Sequence, residues 1–235
     1  MLDKQTLRTQ MRAARLAFVE GDADRQVQSR QSMAADPSPV RHPGLGPGST
    51  APQNQPPGQM PSDEPRNGSG VTHSVAKPPK ILVPQAFLDR LEHGLTVASY
   101  VPMPGEADPS PLARAAVEAG CEIVLPHVVD RATPLRFLAW DTEAALIAGP
   151  FGLHQPAHDA AEREPDIILT PLVAFDAMLN RLGQGAGYYD RAFVTFPNAW
   201  RIGVAWSIQQ VEALPADAWD VPLHAIVTET DWITP

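Results

Sequence analysis

Runs of apolar residues alternate with turn signals along most of this chain, and they predict strands and helices in alternation. The short apolar runs, rich in β-branched and aromatic residues, predict strands at 95–101, 122–125, 135–140, 166–170, 201–206 and 225–228. Helices are predicted at 111–120, with proline near the start and glycine past the end, and at 187–196. This alternation predicts an α/β fold with an open, mainly parallel sheet and helices on both of its faces.

An amphipathic helix is predicted at residues 4–20, with Gly21 as its end. Its apolar residues recur at helical spacing and are Leu7, Met11, Ala14 and Phe18. Its basic residues lie three or four positions apart on another face and are Lys4, Arg8, Arg12 and Arg15. Because like charges at this spacing repel one another, the basic row is either a solvated face or a binding site for an anion.

The stretch 36–80 has a different composition, with eleven prolines and six glycines. Such a segment cannot bury enough apolar area to offset the entropy of ordering it, so it is predicted to be a disordered insertion. The predicted organisation is a basic helical segment at 1–35 that packs on the core, the insertion at 36–80, and a catalytic α/β domain at 81–235, together one domain. An alternative hypothesis makes the chain an interaction protein whose proline-rich segment is the functional part.

Composition excludes several classes of protein. A formal net charge of -9 argues against a general nucleic-acid binder, which needs a basic face to neutralise phosphates. No apolar run approaches the roughly 20 residues of a membrane span. Cys121 is the single cysteine, which fits a reducing compartment and predicts a cytoplasmic location. A monomer is predicted, with no nucleic-acid or membrane partner.

The run from Arg181 to Arg191 carries the clearest chemical signal, because three glycines alternate within it at positions 183, 185 and 187. Successive exposed backbone N–H groups form an anion-binding nest, which is strongest where a helix begins. The flanking arginines match phosphate oxygens, and Asp190 is suited to Mg²⁺. The run is neither a Walker A loop nor a dinucleotide fingerprint. The glycines alone equally predict a tight turn between a strand and a helix.

Three candidate motifs follow predicted strands: 101–106, 171–190 and 206–220. In open parallel sheets, ligands bind beyond the carboxyl ends of the strands. These motifs are therefore expected to converge on one edge of the sheet.

The whole string Arg-Leu-Gly-Gln-Gly-Ala-Gly-Tyr-Tyr-Asp-Arg resembles the signature of the 5-formyltetrahydrofolate cyclo-ligase family, also called methenyltetrahydrofolate synthetases. The segments 100–106, 171–176, 220–224 and 227–229 are similar to its other motifs. The resemblance covers residues 1–20 and about 85–230. It implies a Rossmann-like three-layer fold of the NagB/RpiA type. It also implies an ATP- and Mg²⁺-dependent ligase that closes 5-formyltetrahydrofolate to 5,10-methenyltetrahydrofolate with release of ADP and phosphate.

The resemblance also implies the residues of the site. The residues expected to bind ATP are Lys4, Arg8, Arg181, Leu182, Gly183, Gln184, Gly185, Ala186, Gly187, Tyr188 and Tyr189. The residues expected to bind the folate are Val101, Glu106, Gly185 and Tyr189. Asp190 and Asp220 are the expected Mg²⁺ ligands. Arg181 and Tyr189 are expected to position the reacting groups, since phosphoryl transfer needs no activated nucleophile on the protein.

The residues by themselves leave other interpretations open. Asp220 is also typical of a turn before Val221-Pro222, and Glu106 of an acid that meets the dipole of the next helix. Tyr188 and Tyr189 are also suited to core packing. The second hypothesis for the whole chain is a catalytically reduced protein that binds folate or nucleotide on the same scaffold.

Overall fold

The computed structural model describes residues 3–34, 79–215, 217 and 219–235. The chain divides into a larger unit, residues 1–22 with 78–235, and a smaller unit, residues 23–77. The described residues of the smaller unit, 23–34, are helical. The insertion predicted at 36–80 lies outside the described residues apart from positions 79 and 80, so its predicted disorder and the domain division remain predictions.

A seven-stranded sheet forms the centre of the larger unit. The helices are α1 (Lys4–Ala34), α2 (Gln85–Leu88), α3 (Ser110–Glu118) and α4 (Tyr188–Thr195). The strands are β1 (Thr96–Ala98), β2 (Glu122–His127), β3 (Arg136–Ala139), β4 (Ile147–Ala148), β5 (His154–Gln155), β6 (Ile167–Pro171), β7 (Ala174–Phe175), β8 (Arg181–Leu182), β9 (Trp200–Val204), β10 (Ala225–Val227) and β11 (Trp232–Ile233). The sheet order is β11-β10-β9-β6-β1-β2-β3, while β4 pairs with β5 and β7 pairs with β8.

The five central strands of the sheet run parallel, and an antiparallel strand lies at each edge. Neighbouring residues within a strand face opposite sides of a sheet. Accordingly Val97 of β1 belongs to one apolar core, which contains Leu112 of α3, whereas Ala98 belongs to a second core, which contains Phe193 of α4. Helices therefore cover both faces, and the predicted α/β fold with a mainly parallel sheet is confirmed.

The six predicted strands all exist, with shifted ends. The strand predicted at 95–101 ends at Ala98, and the one predicted at 122–125 extends to His127. The edge strand β11 was not predicted, because two residues carry no recognisable period. The helix predicted at 111–120 starts at Ser110 and ends at Glu118, and Gly120 follows with φ +83°, as expected of a glycine beyond a helix end.

The predicted end of the first helix at Gly21 is wrong, because α1 continues through this residue to Ala34. Within the described ranges, no atom lies within 4 Å of a Cβ built at Gly21. A glycine inside a helix costs only about 0.5–1 kcal/mol relative to alanine, so one such residue does not end a long helix.

No helix in the described part of the chain is long and apolar enough to cross a membrane.

Candidate functional site

Three neighbouring parallel strands, β1, β6 and β9, deliver the predicted motifs to one edge of the sheet. The segments that follow these strands contact one another directly. The indole Nε1 of Trp206, after β9, donates to the carbonyl oxygen of Gly105, after β1, at 2.9 Å. The amide Nε2 of Gln209 donates to the carbonyl oxygens of Leu172 and Val173, after β6, at 2.7 and 3.0 Å. The predicted convergence of the three motifs is therefore confirmed.

The glycine loop begins in the small hairpin of β7 and β8 and leads into α4. Asp176 fixes the hairpin turn, because its Oδ1 accepts hydrogen bonds from the backbone N–H groups of Met178 and Asn180 at 3.0 and 3.1 Å. Gly187, with φ +66°, immediately precedes α4, and no side chain of the described part of the chain caps this helix start. The first N–H groups of α4 therefore point out of the helix without a side-chain partner, as in an anion-binding helix terminus.

Helix α1 lies against this loop through an apolar contact and a basic contact. Leu7 packs with Leu182 and Leu214 in a small buried cluster. The guanidinium Nε of Arg8 donates to the carbonyl oxygen of Gly183 at 2.9 Å. The basic row of α1 thus faces the glycine loop instead of being a purely solvated face.

Lys4, at the start of α1, forms two ion pairs with acidic residues near the C-terminus. Its Nζ lies 2.6 Å from Oδ2 of Asp217 and 2.7 Å from Oδ2 of Asp220. Burial favours the neutral amine, but the two carboxylates outweigh it and raise the pKa of Lys4. For Asp220, burial likewise opposes ionisation, yet the backbone N–H of Asp217 and the Lys4 ammonium lower its pKa.

Arg181 is nearly buried and pairs with the first predicted metal ligand. Its Nη2 donates to Oδ1 of Asp190 at 2.6 Å, and its guanidinium lies 4.8 Å from the ring centroid of Phe193. Burial lowers the pKa of Arg181, with the Asp190 carboxylate acting in the opposite direction. Each predicted metal ligand is therefore paired with a basic side chain, Asp190 with Arg181 and Asp220 with Lys4. Within residues 3–34, 79–215, 217 and 219–235, no three His, Cys, Asp or Glu side chains cluster as metal ligands.

Glu106 lies on the other side of the glycine loop and is almost fully buried, with its side chain 5% exposed. Its Oε2 accepts the backbone N–H of Met103, and its Oε1 accepts the amide Nε2 of Gln184, both at 3.0 Å. Asp108, by contrast, accepts the backbone N–H of Ser110 at the start of α3. The helix-facing acid is therefore Asp108, and Glu106 faces the glycine loop.

Arg15 is the one arginine of the basic row that is buried, and it contacts Glu106. Its Nη1 lies 3.6 Å from Oε1 of Glu106, while its Nε has no hydrogen-bond partner among the residues that the structure describes. Burial lowers the pKa of Arg15, opposed by the charge of Glu106. The sequence placed Arg15 on the basic face but gave no signal for its partner, since Glu106 lies in a distant segment of the chain.

The two tyrosines of the loop have different surroundings. The hydroxyl of Tyr188 donates to the carbonyl oxygen of Asp130 at 2.8 Å, and Arg191 lies over its ring. Burial raises the pKa of Tyr189, and the charge of Glu106 adds to the effect. Tyr188 is therefore held by the protein through its hydroxyl and its ring, while the ring of Tyr189 packs against Phe193 with centroids 6.2 Å apart.

The remaining predicted residues differ in what they present to the edge of the sheet. Leu182 is buried under α1, so it can reach a ligand only through its backbone. The carbonyl oxygen of Ala186 accepts a hydrogen bond from Arg191 at 3.1 Å, and Val101 is half-buried just after β1. Two cavities of about 480 Å³ lie elsewhere, one beside Trp200 and His224 and the other beside Cys121 and Trp140. The candidate site therefore lies at the edge of the sheet, where α1 contacts the glycine loop.

A family profile and individual relatives of this chain point to the same protein family. The sequence profile of the 5-formyltetrahydrofolate cyclo-ligase family matches residues 84–229. The chain is 36% identical over 140 residues to the 5-formyltetrahydrofolate cyclo-ligase of Escherichia coli (strain K12), covering 57% of this chain and 77% of that protein. It is 33% identical over 143 residues to the protein of the same name from Mycolicibacterium smegmatis, covering 57% and 74%.

Two solved structures are also similar. The NMR structure of Aquifex aeolicus 5,10-methenyltetrahydrofolate synthetase has a TM-score of 0.50 at 31% identity, covering 64% of this chain and 79% of that one. The 5,10-methenyltetrahydrofolate synthetase from Mycoplasma pneumoniae has a TM-score of 0.53 at 21% identity, covering 97% and 99%. The second likeness supports the fold alone.

Proposed function

This chain belongs to the 5-formyltetrahydrofolate cyclo-ligase family, and from that premise we propose that it uses ATP to cyclise 5-formyltetrahydrofolate to 5,10-methenyltetrahydrofolate. The observation that supports ATP as the second substrate is the contact of the basic helix with the glycine loop, where Arg8 Nε donates to the Gly183 carbonyl oxygen at 2.9 Å. A row of cations beside uncapped N–H groups is suited to a triphosphate. The predicted cytoplasmic location and monomeric state accompany this proposal as predictions.

In the proposed reaction, the formyl oxygen attacks the γ-phosphorus of ATP and ADP leaves. The formyl carbon, now bonded to a phosphorylated oxygen, becomes electrophilic. The neighbouring amine of the same folate then bonds to this carbon and loses its proton, and the carbon–oxygen bond breaks to release phosphate. Phosphoryl transfer of this kind relies on positioning and charge stabilisation by the protein.

The described residues divide this work between two halves of the candidate site. In the nucleotide half, Lys4, Arg8 and the N–H groups of residues 183–188 would hold the phosphates. Arg181 would stabilise charge on the transferred group while Asp190 keeps its guanidinium oriented. In the folate half, the Glu106 carboxylate would accept N–H groups of the pterin ring. Tyr189, half-buried in the first turn of α4, would contact the substrate where the two halves meet.

Asp190 and Asp220 fit the donor set that Mg²⁺ prefers beside a nucleotide. Both side chains are about one-fifth exposed, at 23% and 22%. In the described part of the chain their contacts use only one oxygen each, Oδ1 of Asp190 and Oδ2 of Asp220. One or two carboxylates with phosphate oxygens and water complete a typical Mg²⁺ site. A magnesium ion held there would neutralise phosphate charge.

The test is the absorbance of 5,10-methenyltetrahydrofolate, measured with the purified full chain, ATP, Mg²⁺ and 5-formyltetrahydrofolate. We expect absorbance to rise only when all components are present. The replacement Glu106→Gln should raise the KM for the folate, because an amide offers one acceptor oxygen where the carboxylate offers two. The replacement Glu118→Gln, at the far end of α3, is the matched control. Folded protein that binds both ligands without turnover would support the reduced, ligand-binding alternative and contradict the proposal.

A further inference from the structure

The side-chain amide of Gln184 joins two charged groups that come from opposite halves of the candidate site. Its Oε1 accepts a hydrogen bond from the guanidinium Nε of Arg12 at 2.9 Å, and its Nε2 donates to Oε1 of Glu106 at 3.0 Å. A guanidinium only donates and a carboxylate only accepts, so a single orientation of the amide satisfies both partners. Neither an acid nor a base at this position would make both contacts.

Of the contacts that Glu106 makes, the hydrogen bond with Gln184 is the one that a ligand can displace. The Met103 N–H belongs to the same turn as Glu106, and Arg15 is buried, with its side chain 6% exposed. Gln184, by contrast, is exposed and lies in the glycine loop. A substrate that needs Oε1 of Glu106 as an acceptor would therefore compete with the amide of Gln184.

Arg12 supplies the link to the nucleotide half. Its guanidinium is exposed and lies beside the loop whose N–H groups would hold the phosphates. Phosphate oxygens are stronger partners for a guanidinium than a neutral amide oxygen, because both groups are then charged. A bound triphosphate would therefore draw Arg12 away from Gln184 and leave the amide free to release Glu106.

We infer that Gln184 couples the two substrates: nucleotide binding breaks the Arg12–Gln184–Glu106 connection and makes Glu106 available to the folate. This inference rests on the proposed function and adds to it an order of assembly, with nucleotide promoting folate binding. A coupling between two sites is reciprocal and commonly amounts to between about 5-fold and about 150-fold in affinity. Because the coupling depends on a single exposed set of hydrogen bonds, we expect a change in affinity near the lower end of this range, about tenfold.

The test is isothermal titration calorimetry of 5-formyltetrahydrofolate into the full chain, with and without Mg²⁺ and a non-hydrolysable ATP analogue. In the unmodified protein the folate Kd should fall about tenfold when the nucleotide is present. In Gln184→Ala, Glu106 is already released, so the Kd without nucleotide should be low and change by less than about twofold on adding it. In Arg12→Ala, Gln184 has lost the guanidinium that holds its amide in place, so the Kd without nucleotide should also be low and should change by less than about twofold on adding it.

The control is Gln10→Ala, which replaces an exposed glutamine of α1, the helix that carries Arg12. This variant should keep the tenfold coupling. A merely structural role for Gln184 would lower the thermal unfolding midpoint and both affinities while leaving their coupling intact. Unchanged coupling in Gln184→Ala, or no coupling in the unmodified protein, would overturn the inference while the proposed function stands. If neither ligand binds to the folded protein, both are wrong.

Discussion

Replacing Gly185 by alanine is expected to weaken ATP binding by introducing backbone strain into the glycine loop. Gly185 has φ +101°, and a Cβ built there would lie 3.3 Å from Cζ of Arg8. A non-glycine residue held in so sparsely populated a region costs about 1–3 kcal/mol. The added methyl group would also press on the guanidinium that contacts the loop.

The strain can appear in two measurable quantities. If the loop keeps its conformation, the free energy of unfolding falls by about 1–3 kcal/mol. If the loop relaxes, the arrangement of N–H groups is lost and the KM for ATP rises by about 5-fold to 150-fold, since about 1.4 kcal/mol corresponds to tenfold. Urea denaturation measures the first quantity and methenyl-folate absorbance at varied ATP measures the second. The loss of unfolding free energy and the loss of ATP binding free energy should together equal the strain energy of about 1–3 kcal/mol.

Gly183→Ala is the comparison within the same loop. Its Cβ would lie 3.4 Å from Nη1 of Arg181, and its φ lies outside the left-handed range, so we expect changes within about 0.5 kcal/mol. The reasoning is refuted if Gly185→Ala leaves both the unfolding free energy and the ATP KM unaltered. An equal loss in both variants would also refute it, because the loss would then not depend on φ.

Four further predictions follow from the same contacts. Lys4→Ala combined with Arg8→Ala should raise the KM for ATP at least about tenfold, because charged hydrogen bonds to phosphate are lost; an unchanged KM would mean that the basic row contacts the loop without binding the nucleotide. Asp190→Asn should lower Mg²⁺-dependent turnover by at least about 100-fold while circular dichroism stays unaltered, and near-normal turnover would disprove the metal assignment. Gly21→Ala should raise the free energy of unfolding in urea by about 0.5–1 kcal/mol, whereas a loss would mean that the helix needs glycine there. Because folding lowers the pKa of Asp220, its ion pair with Lys4 should add about 0.2–1 kcal/mol to the free energy of unfolding at neutral pH. This contribution should be lost as the pH falls below 3.8, the ordinary pKa of the carboxyl group, and should be absent at every pH in Asp220→Asn. The prediction is contradicted if the unfolding free energies of the two proteins coincide throughout an acid titration.

The sheet was predictable because burial on both faces leaves a strong local signal. Residues such as Ile167, Ile168 and Leu169 are all buried, so β6 appears in the sequence as an unbroken apolar run. The short edge strand β11 carries no such run. Its residues Trp232 and Ile233 become a strand only because β10 offers them backbone partners. Local sequence therefore predicts the strands of the sheet that carry an apolar run better than the two-residue strand at the β11 edge.

The candidate site was predictable where a motif is contiguous in sequence and not where partners are distant. The glycine run at 183–187 and the basic row of α1 were both recognisable, since each lies within one short segment. The contact between Arg15 and Glu106 was not, because it depends on how α1 meets the edge of the sheet. The end predicted at Gly21 failed for the opposite reason: a local preference of under about 1 kcal/mol was outweighed by the rest of the helix.

The contacts of α1 also determine when in folding the nucleotide half can form. Arg8 and Gly183 are separated by 175 positions in sequence, and Lys4 and Asp220 by 216. Contacts between such distant residues form late, because much of the chain must be ordered before its ends meet. During synthesis the basic residues of α1 therefore repel one another without their partners until nearly the whole sheet has left the ribosome. If the proposed function holds, the protein would gain its ability to hold ATP as one of the last events of its folding.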